Sequence, residues 1–130
     1  MEAKHTPGPW FALSGGNVTR NTGPHWAVGG IYIAQVDQKS MSCEANARLI
    51  AAAPDLLQAL QMARSMIDTE RQSFADCSLV HGLTEGDDPD NFVSIGGALF
   101  EQHDADVVAD YDRALAQMDA AIAKATGAPT

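Results

Sequence analysis

The chain predicts an α+β fold, with an amino-terminal antiparallel β-meander of three or four short strands packed against two or three helices that follow it. Three observations predict it. Up to residue 36, short β-branched and aromatic pieces alternate with turns rich in Gly and Asn. Residues 45–60, ANARLIAAAPDLLQAL, consist mostly of residues that lose least on entering a helix. From Asp104 onward an apolar residue recurs every three or four positions. The 130 residues are one domain's worth, enough for a core without disulfide or metal staples.

Residues 1–9 are polar and rich in Pro and Gly, an extended arm leading to Trp10. The meander is expected over 10–40. Its apolar pieces, 10–13, 18–20, 26–28 and 31–36, are separated by Ser14-Gly15-Gly16-Asn17, Asn21-Thr22-Gly23-Pro24 and Gly29-Gly30. In the last piece Tyr32, Ala34 and Val36 alternate with Ile31 and Ile33, so both faces are apolar and the strand reads as internal to the sheet.

The segment 42–72 reads as helical and broken at Pro54. Ser42 is placed to cap the first turn, with Glu44 just inside it, where a carboxylate meets the positive end of the helix dipole. A proline inside a helix costs about 3 kcal/mol, so one helix should end near Ala52 and another should carry Pro54 in its first turn. In the second, Leu56, Leu60, Ala63 and Ile67 form a stripe with Leu57 and Met66 beside it, a face expected to cover the sheet.

Residues 73–91 read as an acidic loop region ending in HGLTEGDDPDN. Residues 92–100, apolar around Gly96-Gly97, fit a short strand or a helical turn. The helix at 104–126 carries Val108, Tyr111, Leu115, Met118 and Ile122 on one stripe and ends at Gly127 and Pro129, with Lys124 in its last turn. Such a stripe fits packing on the sheet or pairing with its own copy in a homo-oligomer.

The string ANARLIAAAPDLLQAL, preceded by an amino-terminal TPGPW and a β-like segment ending IYIAQV, resembles a family of small proteins encoded by bacteriophages and prophages, mostly of unassigned function. The similarity is clearest over residues 5–13 and 31–67 and brings no catalytic residues with it. The resemblance implies a phage accessory protein working in the host bacterial cytoplasm. The acidic second half lies outside it.

Charge is divided unevenly. Residues 1–67 carry five Lys or Arg against four Asp or Glu, whereas residues 68–130 carry three against thirteen, which together give the net charge of −9. On the last helix Asp106, Asp110 and Asp112 lie off the apolar stripe, with Asp119 further along. This face either keeps the protein soluble or offers itself to a basic partner. Direct binding of nucleic acid is disfavoured, since the second half repels phosphates and basic residues are scattered in the first. Apolar runs fall far short of a membrane span, and Cys43 and Cys77 make no disulfide framework, so the chain is expected in the cytosol with both thiols reduced.

Other constellations are thinner. Cys77 and His81, with His103 and Asp104, lack the paired ligand motif of a zinc site, and a buried thiol with surface histidines accounts for them. Cys43 and His25 have no spacing that joins them as nucleophile and base. Asp87, Asp88, Asp90 and Asn91 share the composition of a calcium loop without its alternation, glycine or closing glutamate. Gly15-Gly16 and Gly29-Gly30 are followed by no Lys-Ser or Lys-Thr, so hairpin turns explain them better than phosphate loops.

Two functions follow, both taking their setting from the phage resemblance, and neither uses an enzymatic step, a metal or a cofactor. In the first, the protein inhibits a bacterial defence complex in the style of anti-CRISPR proteins, setting Glu85, Asp87, Asp88, Asp90, Asp106, Asp110 and Asp112 against a basic surface. In the alternative, it is an oligomeric sponge that sequesters a nucleotide immune messenger, with Trp10, Arg20, Trp26 and Arg48 stacking a base and pairing with phosphates. The charge division favours the first.

Overall fold

The computed structural model describes residues 5–20 and 32–128. Within them the chain forms strands β1 (Phe11–Ala12), β2 (Asn17–Thr19) and β3 (Tyr32–Gln35), helices α1 (Cys43–Ala51) and α2 (Ala53–Ser78), strands β4 (Phe92–Ile95) and β5 (Ala98–Glu101), and helix α3 (Gln102–Thr126). This is the α+β fold that the sequence predicts. The chain divides into two compact units, one of Met1–Leu60 with Ala125–Pro129 and the other of Gln61–Lys124 with Thr130.

The first unit is a three-stranded antiparallel sheet in the order β1-β2-β3. Phe11 faces Thr19 and Ala12 faces Val18 across β1 and β2, and the turn joining them is the predicted Ser-Gly-Gly stretch. Val18, fully buried, packs with Ala47 and Ala51 of α1, and Trp10, Ala12, Ile33, Ala34, Val36 and Ile50 close around them. The strand expected at 26–28 lies outside the described residues.

Two expectations are corrected here. Within the first unit the helix that covers the sheet is α1, through Ala47 and Ala51, and not the start of the expected stripe at Leu56. The small alanine side chains let the α1 backbone approach the strands, whereas Leu56 remains 52% exposed. Likewise β3 does not bury two alternating faces. The register shifts between Val18 and Thr19, so Val18 faces Ala34 while Thr19 faces Tyr32. That irregularity breaks the strict period of two: adjacent Ile33 and Ala34 both reach the core, and Tyr32 is exposed. Among the described strands β2, not β3, is the central one.

Helix α1 starts at the expected place by a different chemistry. Ser42 occupies the N-cap, but its hydroxyl makes no capping bond. Its carbonyl accepts from the Asn46 amide at 2.9 Å, while the preceding turn is held by the Asp37 carboxylate accepting from the Lys39 amide and by Ser40 Oγ accepting from the Ser42 amide. Ala52 ends α1, donating back to the carbonyls of Arg48 and Ile50, and its own carbonyl accepts from Leu56 to begin α2. Pro54 thus falls in the first turn of α2, where its missing N–H costs nothing.

In the second unit α2 continues past residue 72 to Ser78, so the loop expected from 73 begins later. Residues 92–100 form a β-hairpin, resolving the ambiguity between strand and helical turn. Ile95 pairs with Ala98 across Gly96 and Gly97, whose φ values of 58° and 83° are those of a type I′ turn. Val93, Ile95, Ala98 and Phe100 share the face that packs with Phe74, Ala75, Ala105 and Val108. The predicted α3 stripe turns inward: Val108 and Leu115 are buried, and Tyr111, Met118 and Ile122 are half-buried.

One position in the first unit tolerates no side chain. Gly16 has φ of +81°, and a Cβ there would stand 2.5 Å from Cys43 Sγ and 2.9 Å from the Val36 carbonyl oxygen. Both neighbours are held, the Val36 amide donating to the Gly16 carbonyl at 2.9 Å and the buried Cys43 opening α1. Gly16→Ala is therefore expected to destabilise the protein by about 2 kcal/mol or more, combining left-handed strain with overpacking. A lowered midpoint in urea unfolding, with unchanged slope, checks it.

Candidate functional site

The acidic residues singled out in the sequence fall into three physical situations, all within the second unit. Asp112 belongs to the pairing of α2 with α3. Arg71 donates to it from Nε at 2.9 Å and from a terminal nitrogen at 3.4 Å. Two helical turns away, Arg64 makes the same two-pronged contact with Asp119, at 2.8 and 3.3 Å, and lies 3.6 Å from Asp68. Planar guanidinium and planar carboxylate match in this arrangement, which fixes orientation as well as separation. The hydrogen bond to Arg64 holds the Asp119 carboxyl below its ordinary range, and the bonds to Asp119 and Asp112 raise Arg64 and Arg71.

Asp87 and Asp88 build the loop. Asp87 accepts from the Thr84 amide at 2.7 Å and the Thr84 hydroxyl at 3.0 Å, and these bonds lower its pKa. Asp88 accepts from the Asp90 amide at 3.0 Å and so caps a single 3-10 turn, Pro89–Asn91, which delivers the chain into β4. The loop is thus organised by its own carboxylates. Glu85 and Asp90 are exposed beside them.

Asp106 and Asp110 lie on the exposed side of α3. Asp110 pairs with Arg113 at 2.7 Å, with both side chains about two-thirds exposed, so water competes strongly for this contact. Asp106 accepts from the neutral Gln102 amide at 3.0 Å. Glu85, Asp87, Asp88, Asp90 and Asp106 have no cation within ion-pair distance among the described residues.

Three of the residues expected to form a nucleotide pocket, Trp10, Arg20 and Arg48, lie among the described residues. Trp10 packs against the core of the first unit, its indole N–H donating to the Thr6 carbonyl at 3.1 Å and its ring meeting His5 edge-on. Arg48 stands on the solvent side of α1, paired with Glu44 at 3.4 Å. It borders an open depression of about 570 Å³ with Gly15, Gln38, Ser40, Met41, Cys43, Glu44 and Ala45, to which neither Trp10 nor Arg20 contributes. Arg20 is exposed, and His25 and Trp26 lie outside the described residues. A second cavity, about 220 Å³, lies between α2 and the hairpin, with Ala75, Ile95, Ala98 and Phe100 lining it and Arg71 and Asp76 among its polar residues.

Among the described residues no three His, Cys, Asp or Glu side chains are grouped to hold a metal ion. His103 lies 3.4 Å from Asp104 and is largely exposed, and Cys77 is an exposed free thiol, whereas Cys43 is buried with its thiol 3.8 Å from the Val36 carbonyl. No helix of the described residues is long and apolar enough to cross a membrane.

What sequence reasoning missed is the role of the arginines. Arg64 and Arg71 are seven apart, as are Asp112 and Asp119, and this matched spacing is the signal that would have paired the helices. Residues 1–89 match the family model described as Salmonella phage P22 protein Y8K6. The chain belongs to that family. The match takes in β1, β2, β3, α1, α2 and the loop up to Pro89, and stops short of β4, β5 and α3. Searches of curated proteins and of solved structures returned no match. In this phage protein, then, Glu85, Asp87 and Asp88 fall within the family match and Asp106, Asp110 and Asp112 beyond it.

The depressed carboxyls carry a pH dependence. Because Asp87 and Asp119 have folded-state pKa values below the ordinary 3.8, their stabilisation is present above that value and is lost as pH falls below it through the lowered values. Asp119→Asn and Asp87→Asn should each flatten the acid limb of stability, measured as the urea midpoint from about pH 5 down to about pH 2. An acid limb identical to that of the wild type would rule out this linkage.

Proposed function

We propose that this phage protein is a non-enzymatic anti-defence factor that works in the host cytoplasm by stoichiometric binding, its acidic second unit occupying a basic surface of a bacterial immune complex. The observation that carries the reading is the fate of the charges. Arg64 and Arg71 are committed to Asp119 and Asp112, which leaves Glu85, Asp87, Asp88, Asp90 and Asp106 without a cation partner among the described residues. A concentration of uncompensated carboxylates speeds encounter with a basic partner and discriminates against acidic ones. Phage family membership supports the setting, because a protein made during infection meets host immune complexes.

Asp112 contributes to this surface chiefly by holding α3 in place, and Asp110 shares its charge with Arg113. The working set is therefore weighted toward the loop and the start of α3. With Glu85, Asp88, Asp90 and Asp106 changed to their amides, retention of a basic defence subunit from a lysate of defence-competent bacteria should be lost, while the wild type retains it and releases it as salt rises to about 0.5 M. Phage carrying the amide variant should plate on the defended host no better than phage lacking the protein. Retention that ignores both salt and the amide changes, or a nucleotide released on denaturing the purified protein, would overturn the reading.

A further inference from the structure

The β4–β5 hairpin has one edge that is finished and one that is open. In a hairpin closed by a two-residue turn, the pair flanking the turn and every second pair beyond it exchange main-chain hydrogen bonds. Here those pairs are Ile95 with Ala98 and Val93 with Phe100. Phe92, Ser94, Leu99 and Glu101 therefore aim their main-chain groups outward. On the β5 side the Leu99 carbonyl accepts from the Val80 amide at 2.9 Å. On the β4 side the Phe92 amide donates to the Pro89 carbonyl, and the Ser94 N–H and carbonyl have no partner among the described residues.

An edge strand normally carries a lysine, a proline or an inward charge that discourages pairing. β4 has the sequence Phe-Val-Ser-Ile and carries none of these. Its core-facing side chains, Val93 and Ile95, are already packed, and Ser94 is exposed, so another strand can be laid alongside without disturbing the core. The occupant is indicated by charge. Asp88 and Asp90 immediately precede β4, and Glu101 faces Phe92 across the hairpin. A second copy of this chain would bring the same carboxylates to the edge, whereas a basic segment is complementary to them.

We propose that the free edge of β4 is a strand-addition site for an extended, lysine- or arginine-bearing segment of a partner protein, whose main chain pairs with Ser94 and whose cations lie against Asp88 and Asp90. The charge of the segment rests on the acidic-surface reading above; the main-chain pairing does not.

The test is a fluorescent peptide of alternating valine and lysine titrated against the full chain, with binding read by anisotropy. Ser94→Pro removes an outward N–H that the hairpin does not use, a position where an edge strand accepts proline. It should weaken binding about tenfold, the order expected for one lost main-chain hydrogen bond, while Ser94→Ala leaves binding intact. The same peptide methylated on alternate backbone nitrogens should bind wild type as weakly, a result that stands even where Ser94→Pro fails to fold. Asp88→Asn with Asp90→Asn should weaken binding and reduce its salt dependence.

Salt-dependent binding indifferent to Ser94→Pro and to N-methylation overturns the strand edge and leaves the acidic-surface reading standing. Binding that needs the Ser94 N–H but is equally strong for a valine–glutamate peptide overturns the basic occupant, and with it the acidic-surface reading at this edge. Absence of peptide binding, or a concentration-dependent dimer abolished by Ser94→Pro, overturns the proposal.

Discussion

The second unit depends on the alignment of α2 with α3, and two arginine–aspartate contacts set that alignment. Arg64 with Asp119 and Arg71 with Asp112 are related by seven residues on each helix, counted in opposite directions, as an antiparallel pair requires. Seven residues are about 10 Å of helical rise, close to two turns, so both contacts fall along one side of the seam. Phe74 and Tyr111 continue the same line, with ring centroids 6.1 Å apart. Each contact is partly solvated and worth little by itself. Their joint effect is on register, since sliding either helix by one residue would break both and rotate the apolar stripe of α3 by about 100°. The hairpin core assumes this register, because Ala75 comes from α2 and Ala105 and Val108 from α3.

The same contacts shape the electrostatics. A half-chain with three cations and thirteen acids has little cationic charge to distribute, and the helix seam takes Arg71 as well as Arg64 from the end of the first half. The loop acids are not idle charges either. Asp87 and Asp88 spend lone pairs on main-chain amides, and that ordering presents them in a fixed position just ahead of an unfinished strand edge. Structural and surface roles are thus carried by different atoms of the same side chains, which is why a charge count by residue type cannot separate them.

Much of the fold was legible because local chemistry and tertiary need agree. Pro54 and the alanine-rich run marked the break between α1 and α2, and the regular stripe from Val108 to Ile122 marked the inner face of α3. The turn at Gly15 and Gly16 announced the first hairpin. Errors came where packing is decided at a distance. Leu56 looked like a core residue by spacing, yet Ala47 and Ala51 cover the sheet because their small side chains admit a closer backbone. The second hairpin was ambiguous because its strands are four residues long, although Gly96-Gly97 between β-branched and aromatic residues is itself a type I′ signal. Of the candidate residues, the exposed acids were found by composition, but their division among seam, loop and free surface rests on arginines and threonines that no acidic motif includes. Trp10, the stacking candidate, packs against the core of the first unit, and an aromatic that follows glycine and proline reads alike in a pocket and in a core.

The family match ends at residue 89, and the folding of the second unit does not respect that boundary. Phe74 and Ala75 lie before it, while Phe100, Ala105 and Val108, which enclose them, lie after it. Arg64 and Arg71 likewise precede it and Asp112 and Asp119 follow it. The first 89 residues therefore supply only one side of a joint. Any tail that replaced β4, β5 and α3 would inherit two waiting guanidiniums and a bare aromatic shelf, and would have to meet both to yield a folded protein.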